Sequence, residues 1–417
     1  MAQLSDDCFA VGGSVMTLDE AVALVGARLK PVSGTQRVPL AGADRRVLAR
    51  DVVAPMSLPP FTNSAVDGYA VGGADLPVTG ERALPIAGRL QAGASHDPVE
   101  PGHAVRIFTG APMPQGTDTV FMQEDVRHDQ AGRVVLPVGL PRGANVRSAG
   151  EDVVAGAVVL RAGHILRPQD VALLAALGFT DVEVRSPVRV AVFSTGNEIV
   201  APGAARGPTQ LFDANRFMLH AMLARLGCAV TDLGILPDDS RRIADVLAQA
   251  AGSHDLLLTS GGVSTGEADY VRASVESVGS LVFWRVAVKP GRPVAMGVIR
   301  GAAFIGLPGN PVASFVTFAG IARPAILALA GAQARPLPAM PLRAAFSYTK
   351  KPARREYVRA SLRRGADGVW EAVKFPRQGA SLLSSLVDTE GLVELDEDTT
   401  AVRPGDMVRF LPYSSLW

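Results

Sequence analysis

The residues with the clearest chemical potential lie between Thr259 and Pro311. Ser260-Gly261-Gly262-Val263-Ser264-Thr265-Gly266-Glu267-Ala268-Asp269, Lys289-Pro290-Gly291-Arg292-Pro293 and Gly306-Leu307-Pro308-Gly309-Asn310-Pro311 are glycine-rich turns, each following a short apolar run. Glycine leaves backbone N–H groups free to cradle an anion. A nearby carboxylate holds Mg²⁺ against such an anion. The pattern suggests a phosphate-bearing ligand at the rim of an α/β sheet. The Ser260 turn is neither a P-loop nor a dinucleotide fingerprint, and alone it reads equally as a tight turn whose glycines supply positive φ. Lys289 and Arg292 flank a Pro-Gly turn and are placed for an anion, against the plainer reading of an exposed basic hairpin. Pro311 suits the first position of a helix, whose N-terminus also attracts anions.

Carboxylates supply the second ingredient. Glu198, Asp238 and Asp269 each follow an expected strand. One such residue is most often a helix cap. Three at one sheet edge favour a shared metal or substrate role. Oxygen ligands suit Mg²⁺, and six histidines without paired spacing disfavour zinc.

These residues need a sheet to gather them. From Arg189 onward, strands over 190–193, 229–236, 255–259 and 281–288 alternate with helices over 214–226, 241–251 and 269–278, and a long helix follows Pro311. Asp213 is expected to cap the 214–226 helix. That rhythm predicts a parallel, doubly wound sheet with its ligand beyond the carboxyl ends of the strands. Glu198, Asp238, the Ser260 turn and Asn310 all fall at that edge. Residues 56–146 carry Gly and Pro between short β-type runs, which reads as an inserted β-domain. Its turn-rich motifs, 60–70 and 106–114, are structural by default, Asp67 as an Asp-Gly turn residue. Residues 15–55 and 147–186 form a further unit, beginning with a helix over 17–30 that Thr17 and Glu20 start as a capping box. In 332–417, five strands over 342–348, 356–363, 369–375, 391–396 and 407–411 suggest a small β-barrel or sandwich. The fold class is therefore α/β and β multidomain: a central doubly wound domain at 187–331, an inserted β-domain and a C-terminal barrel.

Composition sets the outer limits. A chain of 417 residues suggests roughly three domains. With 41 basic against 40 acidic residues it lacks the basic excess of a nucleic-acid binder. Cys8 and Cys228 offer neither a disulfide framework nor zinc spacing. Asp6 and Asp7 argue against a signal peptide. The most apolar run, near 321–330, is broken by Arg323 and Pro324, so no membrane span is expected. The expectation is a cytoplasmic protein.

A resemblance adds to this reading. Ser64-Ala65-Val66-Asp67-Gly68-Tyr69-Ala70, Thr109-Gly110-Ala111-Pro112, Gly150-Glu151-Asp152, Ser194-Thr195-Gly196-Asn197-Glu198 and the three turns above appear in one order. Together they resemble the molybdopterin molybdenumtransferases, the molybdenum insertases of the MoeA and gephyrin E-domain family. The likeness runs from about residue 15 to the C-terminus. It implies an elongated four-domain subunit that forms a homodimer, with 15–55 and 147–186 as linker and dimerisation domain. The site would lie between the α/β domain of one subunit and the inserted domain of the other. The reaction would join molybdate to adenylylated molybdopterin with Mg²⁺ and release AMP. By resemblance Asp67 and Thr109 reach in from the partner chain, and Asp152 joins the catalytic set. Glu198, Asp238 and Asp269 hold Mg²⁺ or position the pterin-phosphate. Ser260, Gly261, Gly262, Ser264, Pro308 and Pro311 bind substrate, and Lys289, Arg292, Arg359 and Ser381 take molybdate or phosphate. A molybdopterin adenylyltransferase and recipient molybdoenzymes are the implied pathway partners. The chain departs from the family at Asn197, usually Asp, at Arg285, commonly Lys, and at Ala380, where a hydroxyl is expected in Gln378-Gly379-Ala380-Ser381. Two other readings stand beside it. An adenylylating enzyme of the same pathway would need only one domain, and a scaffold would have no use for the charged edge.

Overall fold

The structure, a computed structural model, describes residues 15–32, 34–261, 270–333 and 336–416. Gly262, Ser264 and Asp269, expected in the site, lie outside them.

The central sheet has the strand order Ala229–Leu236, Arg189–Thr195, Leu256–Ser260, Ala302–Leu307, Pro293–Ile299, Gly279–Arg285. The first four are parallel, as the alternating pattern predicts. Pro293–Ile299 runs against both of its neighbours, a departure from the all-parallel expectation. Its physical cause is the two-residue link Arg300-Gly301, both at positive φ (48° and 86°). So short a turn joins antiparallel strands only, and two left-handed residues give the twist a hairpin needs. The middle strands are buried on both faces, with Leu256, Leu257 and Leu258 at 0% exposure. Helices Ser240–Ala251 and Tyr270–Val278 cover one face through Ile243, Leu247, Val271 and Val275. Asn215–Arg225 and the helical run Pro311–Leu329 cover the other, joined there by the N-terminal helix Leu18–Arg28. Pro311–Leu329 is long and apolar enough to cross a membrane, yet 72% of it is buried inside the protein. It passes through a π turn at Phe318–Ala322 just before Pro324, a residue with no N–H for an ordinary helical bond.

Local chemistry fixes the helix starts. Thr17 and Glu20 form the expected capping box. Asp213 sits one residue before the cap position of Asn215–Arg225, yet its carboxylate still accepts from Arg216 N–H and pairs with Arg216 Nε at 2.7 Å. Asp239, not Asp238, caps Ser240–Ala251 by accepting from Arg242 N–H.

The C-terminal strands Arg355–Arg364, Trp370–Lys374, Met340–Ala344, Met407–Pro412 and Gly391–Leu395 pair in that order, and the last returns to the first. The sheet is a closed five-stranded barrel. Val288–Lys289 leaves the central domain and pairs with Arg355 and Glu356 at the start of the barrel strand Arg355–Arg364. In the N-terminal half, a four-stranded sheet (Ile86–Leu90, Ala104–Ile107, Gly68–Val71, Thr119–Met122) packs with a three-stranded one through Tyr69, Val71, Phe121, Val134 and Leu136.

Candidate functional site

Where Val288–Lys289 crosses to the barrel, a cavity of about 310 Å³ opens between the two domains. The central domain lines it with Lys289, Pro290, Gly291, Pro308 and Asn310. The barrel contributes Tyr348, Glu356, Tyr357 and Arg359, with Gln378 and Ala380. Gly291 is required at this turn. Its φ is 113°, and a Cβ there would lie 2.2 Å from Thr317 Oγ1, so only glycine lets the turn approach the helix.

Charge defines what the cavity suits. Arg359 is 1% exposed. Its Nε donates to Ser385 Oγ at 3.0 Å, and Nη2 donates to the carbonyls of Arg377 and Gly379 at 3.3 and 3.1 Å. No carboxylate among the described residues neutralises it. Burial pushes its pKa below an arginine's ordinary value, the mark of a cation short of a counter-charge. Glu356, also 1% exposed, is heavily tied. Tyr348 OH and Lys289 Nζ donate to Oε2 at 2.7 and 3.2 Å, and Arg354 Nε donates to Oε1 at 2.7 Å. Burial alone would raise the Glu356 pKa. The hydrogen bonds from Tyr348, Arg354 and Lys289 outweigh it and hold the carboxyl below its ordinary range. Tyr348 moves the other way, raised by burial and by its bond to Glu356. The surplus of cations over carboxylates gives a pocket for an anion.

The sheet's carboxyl edge lies beside this pocket. Asn215, first residue of its helix, donates from Nδ2 to Ser260 Oγ at 2.9 Å and to the Gly309 carbonyl at 2.6 Å. Ser260 Oγ in turn donates to the Pro308 carbonyl, and Gly261 N–H to that of Leu307. The Ser260 and Gly309 turns are thus stitched together. Among the described residues Asn215 Oδ1 is buried without a partner, an acceptor free for a ligand's donor. Glu198 and Asp238 follow neighbouring strands on this edge. Asp238 Oδ2 accepts from Asn197 N–H at 3.0 Å, and the Glu198 carboxylate lies over Gly196, whose φ of 129° and lack of a Cβ make room for it. Two carboxylates suit Mg²⁺ in donor type. Among the described residues no three acids or histidines converge on a metal position.

Other expected residues separate from this cluster. Arg292 is exposed and does not line the cavity. Pro311 begins its helix, as expected. Ser381 is not in the lining either, whereas Ala380 is, its carbonyl accepting from Val312 N–H at 3.0 Å. Asp67 and Thr109 meet on the N-terminal half, where Thr109 N–H and Oγ1 donate to Asp67 Oδ1 at 2.8 and 2.7 Å. Those bonds, the backbone one first, hold the Asp67 carboxyl below its ordinary value. Asp152 is exposed, on a turn whose N–H groups reach the carbonyls of Leu58 and Pro59. Tyr348, Glu356 and Asn215 were not singled out from sequence. The one available signal was Arg354-Arg355-Glu356, three charges at the start of an expected strand.

Known proteins are similar to this chain over nearly its whole length. Residues 16–178 match the family model for the MoeA N-terminal region (domain I and II). Residues 191–328 match a probable molybdopterin binding domain, and 341–413 the MoeA C-terminal region (domain IV). The chain is 37% identical over 404 residues to a molybdopterin molybdenumtransferase of Haemophilus influenzae, covering 96% of this chain and all of that protein. It is 35% identical to molybdopterin molybdenumtransferase 2 of Mycobacterium tuberculosis, covering 89% and 93% of the two chains. The crystal structure of the molybdopterin biosynthesis moeA protein from Pyrococcus horikoshii superposes with a TM-score of 0.82 at 29% identity, covering 96% of this chain and all of that one.

Proposed function

Because the chain belongs to the MoeA family, the molybdenum-transferring enzymes of molybdenum-cofactor biosynthesis, we propose that its cavity takes molybdate and the adjoining sheet edge takes adenylylated molybdopterin. Both substrates are anions, so cations and backbone N–H groups must gather them. The observation that carries the reading is Arg359, a buried cation without a carboxylate partner among the described residues, which lines the same cavity as Lys289.

The chain's own residues then divide the work. Lys289 and Arg359 attract and orient the tetrahedral oxyanion. The stitched Ser260 and Gly309 turns shape the edge for the pterin-phosphate, and Asn215 Oδ1 accepts a donor from it. Glu198 and Asp238, with Asp269, would hold Mg²⁺, which would supply neutralisation of phosphate charge while a water oxygen adds to phosphorus and the phosphoanhydride P–O bond breaks to release AMP. Asp67, oriented by Thr109, acts across a homodimer from the second subunit. No covalent protein nucleophile is needed.

The test is AMP release from adenylylated molybdopterin, with and without molybdate and Mg²⁺, in wild type and Asp238→Asn. Release that needs both additions and falls in the variant supports the reading. A folded wild type that releases no AMP refutes it.

A further inference from the structure

The anion cavity contains a feature that anion capture does not require. Glu356 is buried in its wall and bound to one of the cations that make the pocket positive, Lys289 at 3.2 Å, as well as to Arg354 at 2.7 Å outside the lining. Lys289 retains 45% of its side-chain exposure, so it faces the open cavity as well as the carboxylate. Tyr348 OH, 2.7 Å from Glu356 Oε2, donates to the oxygen that Lys289 also uses, and the Lys289 ammonium sits 6.0 Å from the Tyr348 ring centre. Lys289 is therefore shared between an internal carboxylate and whatever anion enters.

We propose that Glu356 is an affinity-setting residue, an internal anion that competes with the incoming oxyanion for Lys289, with Tyr348 tempering that competition by occupying part of the carboxylate. The proposal rests on the reading of this cavity as the oxyanion site. Its rationale is kinetic. A pocket of unopposed cations would hold the oxyanion strongly in the ground state, and ground-state binding alone does not speed transfer. A resident carboxylate weakens capture while leaving Lys289 in place and charged. It also gives Lys289 a partner when the cavity is empty, which lowers the cost of keeping that cation half-buried.

The test is calorimetric titration of the full-length protein with sodium molybdate, and with sodium sulfate as a second tetrahedral dianion, for wild type, Glu356→Gln and Tyr348→Phe. Removing a unit charge a few ångströms from a dianion is expected to tighten Glu356→Gln binding of both anions by about tenfold or more. Tyr348→Phe frees the carboxylate for Lys289 and is expected to shift affinity the opposite way, by a few-fold. A merely structural role for Glu356 predicts weaker binding in Glu356→Gln, because Lys289 would lose its fixed position, and unchanged binding in Tyr348→Phe, where the carboxylate stays. Wild type that binds while Glu356→Gln binds equally or less overturns this proposal alone. Wild type that binds neither anion overturns the cavity assignment and this proposal with it. If Glu356→Gln does not fold, Tyr348→Phe decides: unchanged or tighter binding there overturns the proposal.

Discussion

Replacing Arg359 by methionine separates binding from folding. The side chain is 1% exposed, carries a full charge and makes three hydrogen bonds to neutral oxygens. Methionine preserves the apolar stem but removes the charge and the donors. Each lost hydrogen bond costs about 1 kcal/mol. Relief of a buried charge without a counter-ion offsets much of that loss, so net stability should change by no more than about 2 kcal/mol. Oxyanion binding should respond far more. Deleting one member of a desolvated charge pair costs about 2–5 kcal/mol, a loss of roughly 30- to 5,000-fold in affinity. Titration with molybdate, alongside a thermal melt, reads the two effects separately. Arg359→Lys keeps the charge but not the planar fork and should recover only part of the affinity. A folded Arg359→Met protein that binds molybdate as wild type does would refute the reasoning.

Further expectations follow from other contacts. Arg355 is bidentate to Asp19 at 2.9 and 2.8 Å and also reaches Glu397 at 3.2 Å and Glu394 at 3.5 Å, clasping the N-terminal helix to the barrel. Arg355→Met leaves those acids facing one another and should destabilise by about 3 kcal/mol in denaturant titration. Asp170 accepts from His164 and Arg167, and although burial opposes ionisation, those bonds lower its pKa to about 2. A carboxyl with a depressed folded-state pKa stabilises above its unfolded value and loses that contribution as pH falls through the folded one. The gap in melting temperature between wild type and Asp170→Asn should therefore be full above about pH 4 and close toward pH 2. Asn215→Ala unties the Ser260 and Gly309 turns. It should slow AMP release by roughly tenfold or more while leaving molybdate affinity unchanged, as read by steady-state kinetics and titration. Thr109→Val removes a donor from Asp67 on the far unit and should likewise lower turnover without changing molybdate binding.

Much of this was legible because it is local. Alternating apolar runs and helix patterns located the central strands within three residues at each end, and the Thr17 capping box stands where its spacing placed it. Lys289 and Pro308 were found because glycine and proline mark turns. The antiparallel strand Pro293–Ile299 was missed because an Arg-Gly link is a weak hairpin signal, though its two left-handed residues decide the sheet's direction. The cavity was only half visible. Its central-domain wall lies in two turn motifs, but Tyr348 and Glu356 meet Lys289 only because two residues of the central domain join the barrel as an added strand. No periodicity in sequence reports such a crossing. Ser381 shows the converse: a hydroxyl close in sequence to the expected position is not part of the lining, which Ala380 occupies.

The central claim is that the cavity between the central domain and the barrel is the oxyanion site. Crystals grown with molybdate, measured at the molybdenum absorption edge, test it most directly. The account predicts an anomalous peak within hydrogen-bonding reach of Lys289 and Arg359. A fully occupied peak elsewhere, with this cavity empty, would contradict it.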